Sequence, residues 1–170
     1  DNSSGYSQIS GNGGDLIFGA NQLIQGSGQV GINNSDITNN GIFTASGGGS
    51  ISVDSAGGSG GRGGAGVGTL GNAGLINNNV IEAAGASTVS FESGYYENAA
   101  GGIIRSVGGS TVVLGNDSRI VNGTLTSDAT STIIDGGGNF YLTDVTLSSG
   151  TRLNMTSVDL YANTTLTNNG

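Results

Sequence analysis

The chain has 170 residues, of which 35 are glycine, and it contains no proline, cysteine, histidine or lysine. That much glycine excludes a mainly helical fold, because each interior glycine costs roughly 1 kcal/mol relative to alanine. The absence of cysteine excludes a disulfide framework and any thiolate metal site. Charged residues make up 9% and the net charge is −8. With only four arginines as cations, no basic patch exists to neutralise phosphate, so neither nucleic acid nor an anionic membrane surface is an expected partner.

From the N-terminus, Gly11-Asn12-Gly13-Gly14-Asp15-Leu16 has the Gly and Asp content of a calcium β-roll nonapeptide. It occurs once, without a second acidic repeat, so no metal is expected. Ile17, Leu23, Val30 and Ile32 then read as inward apolar positions of early strands.

A repeat follows. Asn39 to Asp54 (NNGIFTASGGGSISVD) aligns without gaps with Asn77 to Glu92 (NNNVIEAAGASTVSFE). Gly101 to Gly115 (GGIIRSVGGSTVVLG) is a third copy, and Gly123 to Asp135 a looser fourth. Phe43, Ile81, Ile104 and Leu125 share one column, always large and apolar. Ala45, Ala83, Ser106 and Ser127 share another, always small, and between them stand the polar Thr44, Glu82, Arg105 and Thr126. This in-out-in pattern is strand alternation. A second strand places Ile51, Val89, Val112 and Ile133 inward, after a Gly- and Ser-rich corner where positive φ is cheap.

The copies at Ile81, Ile104 and Leu125 are 23 and 21 residues apart, one coil each. Phe43 to Ile81 is 38 residues, and the surplus is assigned to a Gly-rich loop insertion at Gly57 to Gly68, GGSGGRGGAGVG. Further apolar pairs recur at Phe140/Leu142, Val145/Leu147, Leu153/Met155 and Val158/Leu160. The expected architecture is all-β, a single β-solenoid over residues 1–170, with about seven coils of roughly 21–23 residues stacked ~4.8 Å apart. A disordered glycine chain would show no registered apolar columns. An antiparallel sandwich has no need of the same corner at whole-coil intervals.

Ser35-Asp36-Ile37-Thr38-Asn39-Asn40-Gly41 and Thr165-Leu166-Thr167-Asn168-Asn169-Gly170 resemble the L-T-N-N-G-T-I phrase of bacterial autotransporter passengers and filamentous-haemagglutinin-type (two-partner secretion) exoproteins. The copies at Gly101 and Gly123 carry its G-T-L/I-x-S/A continuation. The resemblance covers most of the chain, through repetitive motifs. It implies a right-handed parallel β-helix, a secreted or cell-surface location, and roles in adhesion, aggregation or biofilm structure. No secretion module or outer-membrane barrel portion is recognisable. The chain is therefore expected to be part of a longer protein or assembly.

The chemistry that outward residues could carry is limited. Asparagines before the repeat strand (Asn39/Asn40, Asn77/Asn78/Asn79, Asn168/Asn169) are expected to form turns and amide ladders along the axis. Glu82 and Arg105 fall in one outward column of adjacent coils and should pair. Ile42, Val80 and Ile103 form an outward apolar column, and Val113 and Ile134 another. Either is a candidate partner-facing stripe, unless a neighbouring segment covers it. Asp135, Asp144 and Asp159 stand in separate turns. Without histidine or lysine, and with no paired carboxylates on one outward face, no catalytic site and no cofactor are expected. Arg105 or Arg119 is the best remaining candidate for lyase chemistry. Ice binding would require a flat Thr-x-Thr ladder, whereas Thr124-Leu125-Thr126 and Thr165-Leu166-Thr167 are matched in other coils by Ile, Arg and Glu.

The sequence thus leads to an extracellular stalk or adhesin repeat, not an enzyme. Its partners would be other copies, end to end or laterally, or a host or cell-surface glycan or protein. A self-assembling filament or biofilm-matrix subunit is the alternative, and a polysaccharide-binding or -degrading β-helix the second alternative.

Overall fold

Glycine-rich corners at regular intervals, separated by short β-branched runs, give a chain that turns three times per coil. A computed structural model describes residues 7–32, 35–55, 74–99, 101–115, 117–156 and 160–169, with backbone alone at 160–164. Strand β1 (Gln8–Ile9) precedes a first coil of β2 (Leu16–Phe18), β3 (Leu23–Gly26) and β4 (Gly28–Val30). The next coil is β5 (Ile37–Asn39), β6 (Ile42–Ala45) and β7 (Ser50–Val53), followed by β8 (Leu75–Asn77), β9 (Val80–Ala84) and β10 (Thr88–Phe91). Then come β11 (Gly94–Asn98), β12 (Ile103–Val107) and β13 (Thr111–Leu114), and β14 (Ser118–Val121), β15 (Thr124–Ser127) and β16 (Thr132–Asp135). Beyond these, two faces fuse into single strands, β17 (Phe140–Leu147) and β19 (Leu160–Asn168), on either side of β18 (Leu153–Asn154).

Every pairing among these strands is parallel, and each strand pairs with its counterpart in the coils before and after. The architecture is a right-handed parallel β-helix of about six turns, close to the seven coils expected from the repeat. It has three faces. Face 1 contains β2, β5, β8, β11, β14 and the first half of β17. Face 2 contains β3, β6, β9, β12, β15 and the second half of β17. Face 3 is the seven-stranded sheet β1-β4-β7-β10-β13-β16-β18. Faces 1 and 2 join through β17, which bends at Asp144 (φ 54°), where its register against β19 shifts.

The predicted columns are present. Phe43, Ile81, Ile104 and Leu125 are direct register partners, and Ala45, Ala83, Ser106 and Ser127 form the small column beside them. Ile81, Ile104 and Leu125 are at most 1% exposed. Ile51, Val89, Val112 and Ile133 stack the same way on face 3. The first-face column Leu16, Ile37, Leu75, Tyr96, Ile120, Leu142 completes the core. Each coil is one strand thick, so a side chain such as Ile104 is dry only because Ile81 and Leu125 lie above and below it. Burial of that order contributes roughly 1.5–3 kcal/mol per large aliphatic side chain.

The inward assignments of four residues need correction. Ile17 and Leu23 point outward, at 68% and 57% exposure, and their neighbours Leu16, Phe18 and Ile24 pack inward instead. Ile32 sits in a corner at φ 47° and is half-buried. Met155 is 42% exposed, although its partner in the expected pair, Leu153, does pack against the core. Val158/Leu160 and the Gly57–Gly68 insertion lie outside the described residues or side chains. The face-3 strands of the coils before and after the insertion, β7 and β10, nevertheless pair directly, Ser50 with Thr88 and Val53 with Phe91, so no rung is skipped between them.

Candidate functional surface

With the interior filled by stacked side chains, whatever the molecule presents to a partner must come from the outward columns and the corners. The corner from face 1 to face 2 is built on amides. Asn39, Asn77 and Asn98 all point inward and are at most 1% exposed. Asn39 Nδ2 donates to Asn77 Oδ1 at 2.8 Å, and Asn77 Nδ2 donates to Asn98 Oδ1 at 2.7 Å. Asn98 Nδ2 continues to the Thr124 carbonyl at 3.2 Å. Outside them Asn78 Nδ2 donates to Asn40 Oδ1 at 2.9 Å. The expected ladder is therefore present, as internal structure and not as a binding face. Asn98, which the sequence reading passed over, is its third member.

The corner from face 2 to face 3 is laddered by serine. Ser87 Nα–H donates to Ser110 Oγ, and Ser110 Nα–H to Ser131 Oγ, each at 3.1 Å. Asp128 closes this corner by accepting from Gly108 N–H at 2.7 Å and Thr130 N–H at 2.9 Å. These donations favour the ionised carboxylate and hold Asp128 well below the usual carboxylate range, the Gly108 contribution being largest. Asp135 is lowered likewise, chiefly by the Thr156 backbone N–H. Asp54 is raised, by burial first and then by the charge of Glu92.

On face 2 the outward column is apolar for four rungs. Leu23, Ile42, Val80 and Ile103 are successive register partners, and the column then turns to Thr124, Thr146 and Thr167. Leu23 and Ile42 are exposed, and Val80 and Ile103 are half-exposed. The structure thus joins Ile42, Val80 and Ile103 as anticipated, and adds Leu23. Val113 and Ile134 also stack directly, but on face 3, so the apolar candidates form two separate ladders. Beside the first ladder runs Gln25, Thr44, Glu82, Arg105, Thr126. Here Glu82 and Arg105 form the ion pair expected from their positions, and Thr44 Oγ1 donates to Glu82 at 3.3 Å.

Face 1 presents Tyr95, Arg119 and Tyr141 in one column, with the Arg119 guanidinium 5.0 Å from the Tyr141 ring centroid. Tyr95 is raised by burial and by Glu97, with Arg119 opposing. Both arginines considered for lyase chemistry are therefore engaged, Arg105 by Glu82 and Arg119 by Tyr141. Among the described residues, no three His, Cys, Asp or Glu side chains converge as a metal site would require, and no helix is long and apolar enough to cross a membrane. An open hollow of about 230 Å³ lies at the first rung, lined by Ile9, Ile24, Val30 and Ile51 among others. Comparisons with protein-family models, with curated proteins and with solved structures found no match.

Proposed function

We propose that this chain is a structural and adhesive β-solenoid of a secreted or surface-exposed bacterial protein, a stiff stalk or adhesin repeat that presents its outward ladders to a partner. One observation carries the reading. An inert, fully stacked interior supports a solvent-facing apolar ladder, Leu23–Ile42–Val80–Ile103, whose members repeat once per coil. Exposed contiguous apolar surface on a soluble protein marks interaction sites. The secreted location and the adhesive role rest on the resemblance of the Thr-Asn-Asn-Gly phrases to autotransporter passengers and filamentous-haemagglutinin-type exoproteins.

The test is adhesion by the chain displayed on inert beads. Native beads should aggregate or bind glycan- or cell-coated surfaces, and the double variant Ile42→Asp/Val80→Asp should not. Equal adhesion by both would refute a role for the ladder, and no adhesion by the native chain would refute the adhesive reading. A second reading is end-to-end assembly into a filament, because coils of a parallel β-helix pair through their backbone groups and a further copy could continue that pairing. Sedimentation that grows with concentration, insensitive to the Ile42/Val80 variant, would favour it.

A further inference from the structure

The chain contains four Asn-Gly steps, at Asn12, Asn40, Asn122 and Asn169. Two of them, Asn40–Gly41 and Asn122–Gly123, occupy the same corner between face 1 and face 2 in different coils. Their surroundings differ. Asn40 Oδ1 accepts from Asn78 Nδ2 at 2.9 Å, and Asn40 Nδ2 donates to the Phe18 carbonyl at 3.2 Å. The Gly41 N–H donates to Asn39 Oδ1 at 3.1 Å. The amide ladder thus holds both the Asn40 side chain and the backbone nitrogen that follows it.

At the later coil the ladder has run out. Asn122 follows Val121, the register partner of Glu97, and so stands level with Asn98. It lies at φ 63°, with Gly123 at φ 65°, and Asn98 Nδ2 donates past it to the Thr124 carbonyl at 3.2 Å. The main chain is pinned on both sides, by the Asn122 N–H on the Thr143 carbonyl and by the Thr146 N–H on the Gly123 carbonyl. Between those bonds, the Asn122 side-chain amide and the Gly123 N–H have no hydrogen-bond partner among the described residues. Both residues are half-buried, so water reaches them.

Those two groups are the reactants of a cyclisation. A backbone N–H that makes no hydrogen bond loses its proton to hydroxide more readily than a bonded one, and glycine puts no Cβ in the way of the attack. We propose that Asn122–Gly123 is a self-modification site, at which the chain converts Asn122 to a mixture of aspartate and isoaspartate. The deprotonated Gly123 nitrogen attacks Asn122 Cγ, forming an N–Cγ bond. The Cγ–Nδ2 bond then breaks, and ammonia leaves with a proton returned by water. Water opens the resulting succinimide. Addition at Cγ breaks the new N–Cγ bond and gives aspartate. Addition at the Asn122 main-chain carbonyl breaks the original peptide bond and gives isoaspartate, whose backbone runs through Cγ. No oxidant or reductant takes part. Isoaspartate lengthens the backbone at a corner where a Cβ on Gly123 would lie 2.3 Å from the Asn98 carbonyl oxygen. Its formation therefore displaces Asn98 and sets a negative charge beside the amide ladder.

The test is mass spectrometry of the folded chain stored in mildly alkaline buffer, beside the same chain unfolded in urea. Trypsin separates the two sites, because cleavage after Arg62, Arg105, Arg119 and Arg152 leaves Asn40 and Asn122 in different peptides. In the folded chain Asn122 should show the mass gain of amide-to-acid conversion on the order of tenfold faster than Asn40, whose hydrogen bonds must open first. In urea the two should convert at similar rates. Fragmentation should locate isoaspartate at Asn122, and the peptide from Asn122→Gln should keep its mass. Equal rates at the two sites in the folded chain overturn the proposal. So does an Asn122 that stays intact while folded yet converts in urea. A product that is aspartate alone shows direct hydrolysis and overturns the cyclisation.

Discussion

Asn39 and Asn77, 38 residues apart, join through a buried side-chain hydrogen bond of 2.8 Å. Asn77 is the middle of the stack, accepting from Asn39 on one side and donating to Asn98 on the other. Asn39 sits at the stack's end, with Phe18 as its register partner in the preceding coil. Asn77→Ala therefore breaks both amide–amide links of the stack, to Asn39 and to Asn98, whereas Asn39→Ala breaks one such link together with the bonds to the Gly41 N–H and the Val80 carbonyl. An unsatisfied buried polar group costs roughly 1–3 kcal/mol, so Asn77→Ala should be the more destabilising of the two in urea denaturation. Equal costs would mean that the amides do not act as a ladder.

The core columns can be tested by depth along the axis. Ile104 is 0% exposed between Ile81 and Leu125, whereas Ile24 belongs to the same column but is only partly buried at the first rung. Ile104→Ala should cost about 2–5 kcal/mol, through lost burial and the cavity left behind. Ile24→Ala should cost clearly less, since fewer neighbours surround the truncated atoms. Similar losses for the two would argue against mutual drying by stacked coils.

What the sequence disclosed and what it hid have the same physical origin. Face 2 was legible because its strands alternate cleanly, as in Val80-Ile81-Glu82-Ala83, and because successive coils repeat the pattern at nearly constant spacing. Face 1 was not recognised as a separate face. In Leu75-Ile76-Asn77 the inward positions are Leu75 and Asn77, so a polar inward residue inverts the expected alternation. Only the ladder, a contact between coils, makes that asparagine a core residue. Ile17 and Leu23 were misassigned for the mirror-image reason, being apolar side chains on outward positions. The Glu82–Arg105 pair followed directly from register.

Ser106 offers the opposite sign of effect. It occupies the small inward column with Ala45 and Ala83, is 0% exposed, and its hydroxyl has no hydrogen-bond partner among the described residues. Ser106→Ala removes an unsatisfied polar atom and installs the side chain already used one coil earlier, so stability should rise, by on the order of 1 kcal/mol. A lower unfolding midpoint for Ser106→Ala would show that the hydroxyl has a partner, such as a bound water.

The acid limb of stability should be set by Asp128 and Asp135. Both carboxyls lie below their ordinary value of 3.8 in the folded state, because backbone N–H groups donate to the ionised form. A carboxyl lowered on folding contributes stability that is fully present above its unfolded pKa and is lost as pH falls through the folded one. Both contributions therefore persist at neutral pH and fade below about pH 4. Asp54 acts in the reverse direction. Burial and Glu92 raise it, so stability declines as pH rises from 3.8 toward its folded value. Asp135→Asn should lower stability at pH 7 and flatten the acid limb, whereas Asp54→Asn should raise stability at pH 7. Urea midpoints of the three proteins between pH 2 and pH 7 would decide it. An acid limb unchanged by Asp135→Asn would mean that its bonds to Thr156 do not form in solution.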